Sequence, residues 1–249
     1  ELVRQIPVDT LIAKIAKGGG QTDAIEEIGL PIIYQNDGPA GFGGTLNSRG
    51  NVADDPNSNF QLATMASCVT IGCTFNKDIA REWGELMGND GLWTGDSGIL
   101  GCTVNIHRCP FNGRNFEYYS EDPMLCNYLA AATVHGAGKF GIMIAPKHFA
   151  FNDQETFRAG VAPYMTEQKA REGELRAFQG PLEDAKGTGV MTSFSRIGAT
   201  NVNGHWGLMR EILQGEWGFV GIISTDMMDN TGYFRPEMCI YGGVTQMAD

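Results

Sequence analysis

The chain contains one stretch that ends in a single carboxylate, at residues 221–226. A run rich in β-branched residues, Gly-Ile-Ile-Ser-Thr, is followed directly by Asp226. A buried parallel strand has this composition, and α/β sheets and barrels place their reacting groups at the carboxyl ends of such strands. We therefore predict that Asp226 lies in an active site. Its position alone is also consistent with a helix N-cap, because aspartate often caps the helix after a strand.

Other polar residues follow predicted strands in the same way. They are Asp37, His107-Arg108, Lys147-His148 and Ser193. Each carries a charge or a hydrogen-bond donor, and the carboxyl ends of parallel strands meet at one face of a barrel. The pattern predicts one cluster around Asp226, with a set of independent caps and turns as the alternative.

Lys147 and His148 form the most unusual pair in this set. At the end of a strand both side chains can line one pocket, where they would hold hydroxyl groups and favour an ionised carboxylate nearby. An ionised carboxylate is what a nucleophile requires. Arg114 and Arg158 lie in polar segments where a guanidinium group can bind a carboxylate or a vicinal diol. The alternative for both arginines is a structural ion pair with Glu117, Glu121 or Glu155.

The composition limits the class of protein. The 249 residues fit one large α/β domain, and the net charge of −11 argues against a nucleic-acid partner, which would need a basic face. No run of about 18 apolar residues is present, so no membrane span is predicted. The six cysteines lack paired CxxC spacing, which indicates buried thiols rather than a zinc ribbon. In an exported protein, Cys68 could instead pair with Cys73, or Cys102 with Cys109.

The elements that must position these residues alternate between strand and helix. Strands are predicted at 31–34, 102–106, 142–145, 189–194 and 220–225, and helices at 8–17, 61–88 with a break at 75–78, 124–137, 167–185 and 206–215. The glycine-rich segments 42–59 and 90–101 are predicted as loops. The alternation predicts a largely parallel sheet within a single domain.

One segment, residues 136–141, matches the dinucleotide fingerprint G-x-G-x-x-G. That motif must follow a strand and open a helix, whereas this segment follows a predicted helix and precedes a strand. The four histidines also lack metal-ligand spacing. We therefore predict neither a cofactor nor a catalytic metal.

Several long, ordered motifs resemble glycoside hydrolase family 3. They are GRNFEYYSEDP (113–123), KHFAFNDQETFR (147–158), VMTSFSRIG (190–198) and GEWGFVGIISTD (215–226). The branch resembled is that of β-glucosidases and β-xylosidases, because residues 150–155 read AFNDQE where the N-acetylglucosaminidase branch has a GHGDT-like run. The resemblance implies an α/β fold of the (β/α)8 TIM-like barrel type over residues 1–249, which can be incomplete or irregular here.

The resemblance also implies roles for individual residues. Asp226 matches the catalytic nucleophile of the family, and Asp37 in NDGPAG matches an aspartate that holds sugar hydroxyl groups. Further matches to sugar-contacting or pocket-lining residues are Arg114, Lys147, His148, Arg158 and Met191. The implied reaction is hydrolysis of β-glucosides or β-xylosides at the non-reducing end. It would be a retaining double displacement, in which one carboxylate attacks while a second protonates the leaving oxygen.

Three positions depart from the family pattern. Phe194 stands where a tyrosine hydroxyl usually supports the nucleophile, and Met227 stands where a tryptophan often forms a wall of the sugar site. Residues 42–44, Phe-Gly-Gly, stand where an arginine is common. We expect Phe194 and Met227 to belong to a pocket that grips its substrate less firmly.

The proton donor has no counterpart in the matched motifs. In this family the acid/base usually comes from a second domain, so we expect this chain to be the nucleophile-bearing part of a longer enzyme. A second domain or chain would then supply the acid. Glu117, Glu121 and Glu155 are candidates only in principle, since the family uses their motifs structurally. The alternative functions are a non-hydrolytic sugar-binding module and an inactive fragment without the acid/base.

Overall fold

The structure, a computed structural model, alternates helices and strands along the chain. It describes residues 1–16, 18, 20–42, 64–227 and 234–248. The helices are α1 (Val8–Ala16), α2 (Cys68–Gly72), α3 (Lys77–Thr94), α4 (Pro123–Gly138), α5 (Glu167–Glu172), α6 (Glu174–Gln179) and α7 (Pro236–Gly242). The strands are β1 (Gln21–Thr22), β2 (Ile33–Asp37), β3 (Gly98–Thr103), β4 (Met143–Lys147), β5 (Gly189–Met191), β6 (Arg196–Ile197), β7 (Thr200–Asn201) and β8 (Ile222–Ser224). Two further segments, Gly180–Asp184 and Gly207–Glu216, are π-helical.

The strands are mainly parallel. β2, β3 and β4 are parallel neighbours in one sheet, with β1 antiparallel to β2 at its edge. β5 and β8 form a second parallel pair, while β6 and β7 form an antiparallel hairpin. A bridge between Phe149 and Thr192 joins the segments that follow β4 and β5. The carboxyl ends of β4, β5 and β8 therefore lie side by side, which brings together the polar residues after β4 and β8.

Single bridges extend this arrangement beyond the sheets. Ser224 at the end of β8 pairs with Gln246, and Gly18 pairs with Ala248, both in parallel orientation. The buried side chain of Gln35 donates from Nε2 to Oε1 of Gln246 at 3.3 Å. Across the described residues, no continuous ladder of strands closes into a complete barrel. The predicted α/β fold is confirmed, and barrel closure stays a prediction.

Helices α3 and α4 pack closely because a small residue lies at their contact. A Cβ atom at Gly84 would lie 2.1 Å from the Thr133 carbonyl oxygen, so only glycine permits this approach. Asn76 caps α3 and Asp122 caps α4, each accepting main-chain N–H groups of the first helical turn. The α3–α4 pair and α6 pack over a contiguous apolar core.

The first strand prediction that needs correction is the one at 102–106. β3 begins at Gly98 and ends at Thr103, and α3 extends to Thr94 within the segment predicted as a loop. Of the glycines that indicated a loop, Gly98 and Gly101 are inside the strand, while Gly91 lies in α3 and Gly95 caps it. A Cβ atom at Gly101 would lie 2.8 Å from the Gly38 carbonyl oxygen.

Other element predictions also differ from the structure. The helix predicted at 167–185 is divided at Gly173, whose main chain is non-helical (φ −104°, ψ −101°). The sequence analysis did not predict α7 or the β6–β7 hairpin. Most of the loop predicted at 42–59 lies outside the described residues.

The structure also tests the predictions for the six cysteines. All six cysteines are free thiols, so neither of the two disulfide alternatives is present. Cys73 and Cys109 are exposed and the other four are buried.

Within the described part of the chain, no helix has both the length and the apolar character needed to cross a bilayer.

Candidate active site

Asp226 lies two residues after the buried end of β8 and is itself only 6% exposed. Its Oδ1 atom accepts a hydrogen bond from the Met227 N–H group at 2.8 Å. Its Oδ2 atom lies 3.7 Å from Nε2 of His148 and has no hydrogen-bond partner among the described residues. Buried carboxylate oxygens are normally paired, and a catalytic role or a bound water or ion accounts for an unpaired one.

Burial raises the pKa of the Asp226 carboxyl to about 6. The hydrogen bond from the Met227 N–H group lowers this pKa, as do the positive charges of Arg158, Lys147 and Arg114. The carboxyl is thus poorly hydrated and yet ionised near neutral pH. That combination suits an attacking carboxylate.

Lys147 and His148 are placed at the end of β4 as the sequence pattern predicts. The buried Lys147 ammonium group forms an ion pair with Asp37, whose side chain is 66% exposed. The main chain of His148 is fixed by Asn105, which accepts from its N–H group at 2.8 Å and donates to its carbonyl oxygen at 3.1 Å. Asn105 was missed by the sequence analysis.

His148 is a neutral imidazole in this setting. Burial lowers its pKa well below the ordinary range, and the positive charges of Arg114, Lys147 and Arg158 lower it further. Its contact with Asp226 is therefore not an ion pair. Its Nδ1 atom is buried and has no hydrogen-bond partner among the described residues.

Both arginines form ion pairs with glutamates, as the structural alternative predicted. Arg114 pairs with Glu117 and lies 3.6 Å from Glu155, and Arg158 pairs with Glu155 at 3.2 Å. Nη1 of Arg114 is also 3.4 Å from Nε2 of His148. The ion-pair and sugar-contact interpretations of the two arginines are therefore compatible, because the glutamates hold both guanidinium groups where their charges act on Asp226.

The three predicted pocket residues have different surroundings. Met191 is buried at the end of β5 in a small apolar cluster with Leu100 and Ala145. Phe194 is buried, and its ring lies under the Arg158 guanidinium group. Met227 is 51% exposed and contacts Asp226 through its main-chain N–H group. Their roles as pocket residues stay predictions.

A cavity of about 430 Å³ opens beside the ion pair of Lys147 and Asp37. Its lining includes Asp37, Arg114, Lys147, Glu117 and Phe116. This volume lies in the range of small-molecule sites. A larger cavity of about 600 Å³ lies near the amino ends of the strands, but its lining is mostly apolar and lacks the charged cluster. We assign the candidate site to the smaller cavity, because Asp37, Lys147 and Arg114 line it. Asp226 and His148 are not among its lining residues.

The comparisons with known proteins decide the family. The model of the Glycosyl hydrolase family 3 N terminal domain matches residues 22–238. This chain belongs to glycoside hydrolase family 3.

Named relatives of this family 3 chain are β-glucosidases. Probable beta-glucosidase J of Aspergillus fumigatus is 35% identical over 205 residues, which are 82% of this chain and 23% of that protein. Beta-glucosidase BoGH3A of Bacteroides ovatus is 30% identical over 228 residues, which are 91% of this chain and 30% of that protein. The chain therefore spans less than a third of the length of these relatives.

Solved structures show the same fold. Beta-glucosidase 3B from Thermotoga neapolitana, in complex with alpha-D-glucose, superposes with a TM-score of 0.90 at 27% identity. The match covers 99% of this chain and 36% of that one. DesR, a beta-glucosidase from Streptomyces venezuelae in complex with D-glucose, gives a TM-score of 0.88 at 27% identity, covering 99% and 30%.

Three of the polar residues that were predicted to converge on Asp226 make their contacts elsewhere. His107 donates from Nε2 to the Asn115 carbonyl oxygen at 2.8 Å, and Ser193 donates to the Ala150 carbonyl oxygen at 2.7 Å. Arg108 lies 3.8 Å from the buried Glu174. For these three positions the caps-and-turns alternative describes the contacts better than the predicted convergence.

Proposed function

We propose that this chain is the nucleophile-bearing barrel domain of a retaining β-glucosidase. The observation that carries the proposal is the buried Asp226 carboxylate, whose Oδ2 atom lies 3.7 Å from His148 and has no hydrogen-bond partner among the described residues. Burial raises its pKa to about 6, and nearby cations oppose that rise, so the group is ionised near neutral pH. Membership of family 3, and relatives named as β-glucosidases, support this choice of reaction and of glucose as the sugar.

In the proposed reaction, Oδ2 of Asp226 attacks the anomeric carbon of a β-glucoside. The bond from this carbon to the leaving oxygen breaks as the bond to Asp226 forms, and an acid protonates the leaving oxygen. Water then cleaves the glucosyl ester, and the stereochemistry at the anomeric carbon is retained. Burial assists the first step, because a weakly hydrated carboxylate loses little solvation when it attacks.

The residues around Asp226 would bind the sugar hydroxyl groups. Asp37 and Lys147 already form an ion pair, so a hydroxyl can donate to the carboxylate and accept from the ammonium group without a large rearrangement. Arg114, whose Nη1 atom lies 3.4 Å from Nε2 of His148, adds donors at the same cavity. Phe194 and Met227 would complete the pocket without tyrosine or tryptophan contacts.

The acid would come from outside this chain. Glu117 accepts from Thr103 and pairs with Arg114, while Glu155 is engaged by Asn152 and Arg158. Neither of these two glutamates is available as a proton donor in this arrangement, and the third candidate, Glu121, is exposed and is not among the residues that line the cavity. A second domain of the complete enzyme, or a second chain, would therefore supply the proton.

The incomplete strand ladder fits an irregular (β/α)8-like barrel. The bridges Ser224–Gln246 and Gly18–Ala248 extend from the β5–β8 pair towards the amino-terminal segment. Gly20 accepts from the Gln35 N–H group of β2 at 2.8 Å, which connects that segment back to the first sheet. We take these contacts as the remaining side of the barrel.

A second candidate function is a non-hydrolytic sugar-binding module. It is favoured by Phe194, which has no hydroxyl group to support a nucleophile, and by the engagement of both nearby glutamates with arginines. Such a module would bind glucose saturably and release no product.

The stereochemistry of the product tests the proposal. The complete polypeptide would be given an aryl β-glucoside in deuterated buffer, and the released glucose would be followed by proton NMR. We expect the β-anomer first, with the α-anomer appearing only at the rate of mutarotation. Initial release of the α-anomer would contradict the retaining mechanism, and glucose binding without any release would support the second candidate.

A further inference from the structure

The ring of Phe194 contacts the guanidinium group of Arg158 and a second aromatic ring. The Arg158 guanidinium carbon is 4.7 Å from the centre of the Phe194 ring. The Phe234 ring stacks on Phe194 with centroids 5.2 Å apart and an interplanar angle of 9°. Both phenylalanines are buried. We call these three residues the Arg158 stack.

The face of an aromatic ring attracts a guanidinium group, and arginine favours this stacked geometry because its charge is planar and weakly hydrated. Phenylalanine provides that face without a hydroxyl group. A residue at position 194 can therefore hold Arg158 even though it cannot donate a hydrogen bond to Asp226. Compared with the tyrosine of the family pattern, Phe194 loses the hydroxyl contact to the nucleophile and keeps the aromatic face for Arg158.

The remaining contacts of Arg158 fix its direction. Its Nη1 atom pairs with Oε2 of Glu155 at 3.2 Å, and Oε1 of Glu155 accepts from Asn152 at 2.8 Å. Glu155 thus holds the edge of the guanidinium group while Phe194 holds its face. In this position the Arg158 charge acts on Asp226 and lowers the pKa of that carboxyl.

We propose that Phe194 is a positioning residue, whose ring, stacked with Phe234, holds Arg158 so that its charge faces Asp226. This inference rests on the proposed function, in which Asp226 attacks as an ionised carboxylate. When the ring is removed, Arg158 gains freedom and its charge stabilises the Asp226 carboxylate less. The acidic limb of catalysis then moves to higher pH, whereas a purely structural defect would lower the rate equally at all pH values.

The chain offers a matched control. Arg210 lies 5.8 Å from the centre of the Trp206 ring, and Trp206 packs against Tyr241 with centroids 5.0 Å apart. This second stack has the same composition, a guanidinium group and two aromatic rings, and shares no residue with the candidate site. Trp206→Leu therefore tests the loss of such a stack away from Asp226.

The test compares Phe194→Leu, Phe194→Tyr and Trp206→Leu in the complete polypeptide. kcat/KM for an aryl β-glucoside would be measured between pH 4.5 and 8. For Phe194→Leu we expect the acidic limb to rise by about half to one pH unit, since one of several charges acting on Asp226 is loosened. Phe194→Tyr keeps the aromatic face and can add a hydroxyl contact to Asp226, so its limb should not rise. Trp206→Leu should retain the wild-type limb.

An unmoved limb in Phe194→Leu, or an equal loss at every pH, would overturn the inference. If Phe194→Leu does not fold, Arg158→Lys serves instead, because it keeps the charge and loses the planar stack; its limb should also rise. If the wild-type protein shows no turnover, the proposed function fails. The positioning role is then read from carbon-13 NMR titration of the Asp226 carboxyl, whose pKa should rise in Phe194→Leu and stay constant in Trp206→Leu.

Discussion

Two buried aspartates of this chain, Asp226 and Asp153, share their burial and differ in their neighbours. Burial raises the pKa of Asp226 to about 6 and that of Asp153 to about 7. Each has an Oδ2 atom without a hydrogen-bond partner among the described residues. After burial, the largest influence on the pKa of Asp153 is the like charge of Glu174, which raises it, whereas for Asp226 it is the hydrogen bond from the Met227 N–H group, which lowers it.

The difference shows that burial alone does not define a nucleophile. Asp153 accepts from the Ile106 N–H group at 3.1 Å, and its carbonyl oxygen accepts from Asn112 at 3.2 Å, so it ties two loops together. Among the described residues, the Asp226 carboxylate accepts a hydrogen bond only from the adjacent N–H group, and its other oxygen lies beside His148. Asp153 thus connects segments 47 positions apart, whereas the hydrogen bond to Asp226 comes from the next residue, so Asp226 can react without the loss of a tertiary contact.

The largest expected effect separates the two aspartates by activity. Asp226→Asn in the complete polypeptide should lower kcat on an aryl β-glucoside by about 10⁴-fold or more, as for loss of a covalent nucleophile elsewhere. Asp153→Asn should retain turnover within about tenfold, because asparagine can still accept from the Ile106 N–H group. Steady-state kinetics provide the measurement. Equal losses in the two variants would remove the distinction.

The pH dependence of the first step gives the next effect. Asp226 must be ionised to attack, and it is ionised above its folded-state pKa of about 6. We expect kcat/KM for a dinitrophenyl β-glucoside, whose leaving group needs no acid, to fall about tenfold per pH unit below that value. Asp153→Asn should show the same limb. A rate that stays constant down to pH 4.5 would contradict this assignment.

The raised pKa of Asp153 predicts that the protein becomes less stable as pH rises. An acid whose pKa is higher in the folded state keeps its proton more tightly there, so stability falls as pH rises from about 4 towards 7. The contribution of Asp153 is on the order of 4 kcal/mol at most, from a shift between 3.8 and about 7.

Melting temperatures at pH 5 and pH 8 measure this contribution. Wild type should lose more stability over that interval than Asp153→Asn, because asparagine carries no charge to bury. Identical pH dependence in the two proteins would show that Asp153 does not titrate in this range.

The smallest effect concerns Arg108, which is half-exposed and lies 3.9 Å from Asp153 and 3.8 Å from Glu174. Arg108→Met should reduce the free energy of unfolding at pH 8 by about 1 kcal/mol, the upper range for an exposed ion pair. Turnover should change by no more than about twofold, as for surface substitutions away from a site. Denaturant titration beside kinetics checks both. A large loss of activity would place Arg108 in the site after all.

The pattern of apolar and capping residues was sufficient for several elements. The helix predicted at 124–137 is α4, Pro123–Gly138, because Asp122 and the proline after it are local start signals that need no distant partner. β3 was predicted four residues too late, since its glycines respond to main chain from another element, near Gly38. Local signals predict what local contacts determine.

The same division applies to the site. The strand ends at Lys147 and Asp226 could be predicted, because an apolar run followed by charge is visible in the sequence. Asn105 could not be, since its partner His148 is 43 positions away and the contact is made through main-chain atoms. Phe234 was missed for a similar reason, as its stacking on Phe194 depends on tertiary packing.

The central claim is that Asp226 forms a bond to the sugar, and covalent trapping tests it directly. The complete polypeptide would be incubated with a dinitrophenyl 2-deoxy-2-fluoro-β-glucoside, and its intact mass and peptide map would be measured. We predict a stable gain of one fluoroglucosyl group, located on Asp226 and absent from Asp226→Asn. An adduct on another residue, or turnover of aryl β-glucosides with no adduct at all, would contradict the account.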